Sequence, residues 1–143
     1  MKNFNRRSFL KGMSISFLPF IKTTFANADS INQLSINKQD VLLIIDMQYD
    51  FCPGGSLAVK DGDTIIPGIN SLQKRFENII LSQDWHPREH SSFFTSHEGK
   101  EPFSSILMPY GEQTLWPPHC IMGSRGAEFN QKLDVTRARM IVR

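Results

Sequence analysis

Two short apolar runs, VLLIID at 41–46 and NIILS at 78–82, enclose a stretch in which the apolar period changes. The first holds five apolar residues, β-branched at Val41, Ile44 and Ile45, and is stopped by Asp46. A continuous run of this kind predicts a strand buried on both faces, as in a parallel sheet. Between the runs Ile65, Ile66, Ile69, Leu72 and Phe76 recur at spacings of three and four, which makes one apolar helix face. Pro67 falls in the first turn, where its missing N–H is tolerated, and Gly68 weakens the helix. Strand, helix and strand in so short a span predict a βαβ unit with a right-handed crossover, and therefore an α/β fold.

The segments CPGGS (52–56) and KDGD (60–63) read as turns or loops. Residues 87–126 carry Pro, Gly and Ser with no sustained period, which predicts a long loop with one short helical turn. EFNQKLD (128–134) offers a further helical turn, and ARMIVR (138–143) begins a third strand. With the sequence ending at Arg143, the expectation is a Rossmann-like, three-layer α/β domain with a mostly parallel sheet. Residues 41–143 would be its N-terminal part, truncated after about the third strand.

The start of the chain belongs to a different category. NRRSFLK (5–11) pairs Arg6 with Arg7, the apolar run MSISFLPFI follows at 13–21, and Ala26-Asn27-Ala28 places small residues at a cleavage site. That order predicts a twin-arginine-type signal peptide over 1–28, cleaved near Ala28, with a polar linker over 29–40. The apolar run is too short to span a bilayer, so the expected membrane contact is transient and the destination periplasmic. Five of the sixteen basic residues lie in the leader, leaving eleven against fourteen acidic residues, a net charge of −3. The basic isoelectric point thus belongs to the leader, and no Lys/Arg cluster remains to support nucleic-acid binding.

In open α/β sheets, ligands sit beyond the carboxyl ends of the strands. Asp46 closes the first predicted strand, and Asp84 and His86 follow the second. Asp84-x-His86-x-x-x-His90 offers one oxygen and two imidazole ligands, leaving open positions around Zn²⁺, Fe²⁺ or Mn²⁺. One helical turn would bring His86 and His90 to the same side, and a loop bent at Pro87 could do the same. His119 in LWPPHC, stiffened by Pro117 and Pro118, is a further candidate ligand, whereas His97 in TSHEGK reads as a solvated loop residue. An aspartate after a strand also serves as a turn residue or helix cap, so spacing alone leaves both readings open. Two cysteines, Cys52 and Cys120, do not make a disulfide framework.

LLIIDMQYDFCPGGSL, LSQDWHPREHSSF and LWPPHCIMGSRGAEF occur in this order and resemble three successive signatures of the nicotinamidases. These enzymes, also called pyrazinamidases, belong to the isochorismatase-like hydrolases, and the resemblance covers nearly all of residues 41–143. It implies hydrolysis of nicotinamide to nicotinate and ammonia through a cysteine nucleophile and a thioester. Asp46 matches the triad aspartate, which moves the thiol proton to the departing ammonia. Asp84, His86, His90 and His119 match the ligands of one divalent metal ion, which holds the pyridine nitrogen. Phe51 and Trp116 match the aromatic residues flanking the ring. The implied partner is a small molecule, nicotinamide or pyrazinamide.

The family triad also needs a lysine just beyond the third strand and a cysteine at the end of the next. Neither has a match here: Cys120 reads as a small buried apolar residue, and Cys52 as a free thiol in a Pro-Gly loop. The expectation is a chain inactive by itself. Two alternatives are another isochorismatase-like amide or ester hydrolase without a tight metal, and a metal-binding module without catalysis.

Overall fold

In a computed structural model, residues 35–143 are described, so the leader assigned to 1–28 and residues 29–34 of the linker lie outside the described residues. Residues 36–143 make one compact unit. Its strands are β1 (Val41–Ile44), β2 (Asn78–Ser82), β3 (Ser105–Met108), β4 (Gly111–Thr114) and β5 (Met140–Val142), with one α-helix, α1 (Ile66–Gln73), among the described residues.

β1 and β2 are parallel, with Val41 opposite Asn78 and Ile44 opposite Leu81. β5 adds in parallel on the far side of β2, giving the order β1-β2-β5. The chain between β1 and β2 runs through a 3-10 turn, Gly62–Ile65, into α1 with Pro67 in its first turn. Ile44, Met47, Ile66, Ile79, Leu81 and Leu133 form the core, and Leu42, Ile69, Phe76, Phe129 and Ala138 pack against it. The expected βαβ unit and third strand are thus present, and the fold is α/β with a mostly parallel sheet. Full burial of a leucine, isoleucine or methionine side chain is worth about 1.5–3 kcal/mol.

Four expectations are corrected. β1 is buried on one face only: Leu42 and Ile44 face the core, while Val41, Leu43 and Ile45 are 50–55% exposed. Alternation sends these three to the opposite face of the sheet. The helix is shorter than its apolar stripe, because Ile65 is its cap and Gln73 its last residue. The 87–126 segment holds, besides the short 3-10 turns Phe94–Ser96 and Arg125–Ala127, an antiparallel hairpin of β3 and β4. It closes through Pro109-Tyr110, with Gly111 at φ +129°. Strands of four residues, one of them the polar GEQT, give no period to read. Residues 128–134 form an extended bridge from Phe129 to Gln48 and a reverse turn, Leu133 N–H to Asn130 C=O at 2.9 Å, rather than a helical turn.

Candidate functional site

β1 and β2 are parallel neighbours, so their carboxyl ends meet at one edge of the sheet. Asp46 leaves β1 with φ +49°, a conformation that costs a non-glycine residue about 1 kcal/mol or more. Ser82, the last residue of β2, holds it there: Ser82 Oγ donates to Asp46 Oδ1 at 2.5 Å and accepts from Asp46 N–H at 3.2 Å. Sequence reasoning missed Ser82, whose signal was its place at the end of the strand beside Asp46.

Beyond β2 the chain passes Asp84 and His86 and pairs with a distant segment. His86 N–H donates to Cys120 C=O, and Met122 N–H donates to His86 C=O, both at 2.9 Å. This parallel bridge between His86 and Ile121 is what carries His119 to Asp84 and His86. Donor atoms of Asp84, His86 and His119 all lie within 4.8 Å of one another. His86 Nε2 stands 2.8 Å from Asp84 Oδ1, and His119 Nε2 stands 3.2 Å from Asp84 Oδ2.

The hydrogen-bonding of His119 says what this cluster suits. Its Nδ1 lies 2.7 Å from the Pro117 carbonyl, an acceptor, so the Nδ1 proton is committed there. A neutral His119 then aims the lone pair of Nε2 at a carboxylate oxygen. Two acceptors facing each other ask for a cation between them, either a proton or a metal ion. An imidazole oriented by a carbonyl on its far nitrogen is the usual arrangement of a metal-bound histidine. Two imidazoles and one carboxylate match the preferences of Zn²⁺ and neighbouring divalent metals.

His90 stands outside that close trio. Its ring centroid is 4.4 Å from that of His86, and its Nδ1 lies 2.7 Å from Ser92 Oγ. Burial, and then the neighbouring His86, hold its pKa below the ordinary histidine value. Phe93, fully buried, sets its edge or tilted face against His86, His90 and His119 at 5.4–5.7 Å. It is a hydrophobic floor that sequence reasoning did not single out. His97 is half-buried rather than freely solvated, its Nε2 2.8 Å from the Ser91 carbonyl.

Phe51 ends a 3-10 turn, Tyr49–Phe51, and its ring is 5.7 Å from His119. With Ile45, Asp46, Met47, Val59 and Ile65 it lines an apolar pocket of about 260 Å³. Trp116 is bonded on both sides, its N–H to Ser92 C=O at 2.8 Å and its C=O from Phe94 N–H at 3.0 Å. Its partly exposed ring meets Phe103 edge-on at 6.0 Å. Cys52 and Cys120 are both free thiols and both buried. Burial, helped by Asp84, Asp50 and Asp46, pushes the Cys120 thiol up to about 12, far from the range of a nucleophilic thiolate.

No family model matches the sequence. A nicotinamidase of Acinetobacter baylyi is 49% identical over 102 residues, which are 71% of this chain and 48% of the relative. A solved nicotinamidase and pyrazinamidase of Acinetobacter baumanii superposes with a TM-score of 0.72 at 50% identity, covering 75% of this chain and 52% of its own. A pyrazinamidase of Pyrococcus horikoshii in complex with zinc superposes at 0.52 with 36% identity, covering 70% and 49%. The chain spans about half the length of the relatives it matches.

Proposed function

We propose that this chain carries the metal-binding, ring-holding part of a nicotinamidase, an amide hydrolase that converts nicotinamide to nicotinate and ammonia. The observation that carries the reading is the convergence of Asp84, His86 and His119 at the strand edge beside Asp46. The likeness to nicotinamidases of about one-half identity supports it, and so does the zinc of the related pyrazinamidase.

Asp84, His86 and His119 would hold one divalent metal ion, with His90 joining by a rotation of its ring towards His86. A metal ion held there would supply an anchor for the pyridine nitrogen of the substrate. Phe51 then covers one side of the ring, and Trp116 guards the approach from the hairpin side. Asp46, held by Ser82, is the proton carrier at the carboxamide end. Neither Cys52 nor Cys120 is the nucleophile, because both are buried and the Cys120 thiol resists ionisation. The 143-residue chain by itself therefore binds metal and substrate without turning substrate over. Nicotinamide added to the purified, zinc-loaded chain should give ring-proton shifts in NMR and no ammonia. Chelator-sensitive ammonia release would contradict the assignment of the two cysteines.

The leader pattern supports export by the twin-arginine route and a role in taking up external nicotinamide. Fractionation of cells making the chain tests this: the expected band is periplasmic and shortened by the leader, and an uncleaved cytoplasmic band would contradict it.

A further inference from the structure

We propose that Gln48 and Asp50, neither of them a ligand, are positioning residues that lock together the two loops carrying Asp84 and His119. The proposal rests on the metal-site reading above. Gln48 has no exposed surface, and its amide is spent on the backbone. Oε1 accepts from Asp84 N–H at 2.8 Å, and Nε2 donates to the carbonyls of Asp84 and Ala127 at 2.8 and 2.9 Å. The side chain thus pairs with the peptide of Asp84 as a neighbouring strand would, fixing the direction in which that carboxylate leaves the chain.

Asp50 does the corresponding work on the other loop. Its Oδ2 accepts from Cys120 N–H at 2.7 Å and its Oδ1 from Ser56 N–H at 3.1 Å. Cys120 directly follows His119 and has φ +47°, a conformation that a non-glycine residue keeps only when its surroundings hold it. The carboxylate supplies that hold, and the same loop closes on it at Gly126, where any side chain would overlap the Asp50 carboxylate. Gln48 caps the 3-10 turn that contains Asp50, so one turn grips both ligand loops. Backbone bonds from Tyr49 N–H to Glu128 C=O and from Asn130 N–H to Met47 C=O, at 3.0 and 2.8 Å, keep that turn in place.

The distinction from a merely structural role is measurable as metal affinity. Zinc affinity of the purified chain is read by competition with a chromophoric chelator, and ligand geometry from the visible spectrum of the Co²⁺ form. Gln48→Met keeps the volume and loses the three bonds. It should weaken zinc binding about 10- to 100-fold, as loss of groups behind metal ligands typically does, and shift the Co²⁺ bands. Asp50→Asn puts an amide donor against one of two N–H groups and should act in the same direction. The control is Gln73→Met, which alters an equally buried glutamine at the end of α1 whose Oε1 has no hydrogen-bond partner among the described residues. It should leave affinity and spectrum unchanged.

Wild-type affinity and spectrum in both site variants would overturn the proposal, as would an equal loss in Gln73→Met. Should Gln48→Met fail to fold by circular dichroism, Asp50→Asn against Gln73→Met decides. A wild-type chain that binds no zinc defeats the metal reading itself, whereas a binding wild type with unaffected variants defeats this inference alone.

Discussion

His119 offers its neighbours a single nitrogen because the other is bonded to the Pro117 carbonyl, and that nitrogen points at Asp84. Asp84 in turn sits between His119 and His86, so it is the one residue both imidazoles address. Asp84→Asn should therefore reduce zinc affinity more than the ~10- to 100-fold loss typical of groups behind the ligands. Affinity unchanged in that variant would remove Asp84 from the site. Cys120 makes a different prediction. Buried and slow to ionise, it should stay unlabelled by a thiol reagent at pH 8 in the folded chain and react fully in denaturant. Rapid labelling of the native chain at Cys120 would reopen its assignment as a packing residue. The residues of the Asp84–His86–His119 cluster were legible in DWHPREH and WPPHC, because few side-chain types are candidate metal ligands. Gln48, Asp50, Ser82 and Phe93 were not. Their roles are contacts to groups far away in sequence, and nothing in the residue type alone announces them.

The elements divide in the same way. β1, β2 and β5 were readable because strands favour β-branched and aliphatic runs, and α1 because its stripe has the helical period. The β3–β4 hairpin was not, since its strands are short and Leu107 is 87% exposed. Leu81, fully buried in the central strand, tests where the core lies: Leu81→Ala should speed amide hydrogen exchange in β1 and β2 by about tenfold or more. Unchanged exchange in both strands would place the core elsewhere. The turn leading to β5 is held by Asp134, whose Oδ1 accepts from Thr136 Oγ1 at 2.6 Å and from Thr136 N–H at 3.0 Å. These bonds hold the Asp134 pKa below its ordinary value, the side-chain bond first. A depressed carboxylate pKa stabilises the fold above the ordinary carboxylate range, and that contribution is lost as pH falls through the native value. Thr136→Val should raise the Asp134 pKa in an NMR titration, and an unmoved pKa would deny the bond its part.

At the scale of the whole molecule, apolar surface remains open. Val41 and Leu43 on β1, Ile45 just beyond it, and Met140, Ile141 and Val142 on β5 are each about half exposed. That leaves little surplus over the conformational entropy of ordering the chain. The chain should melt gradually, and a sharp two-state transition coincident by two probes would count against this view of its stability. The central claim is more specific: Asp84, His86 and His119 are arranged for a metal ion. A titration of the purified, metal-stripped chain with Zn²⁺ tests it most directly. Saturation at one ion per chain is expected, lost when Asp84 is changed to Asn. No binding, or binding indifferent to Asp84, would contradict it.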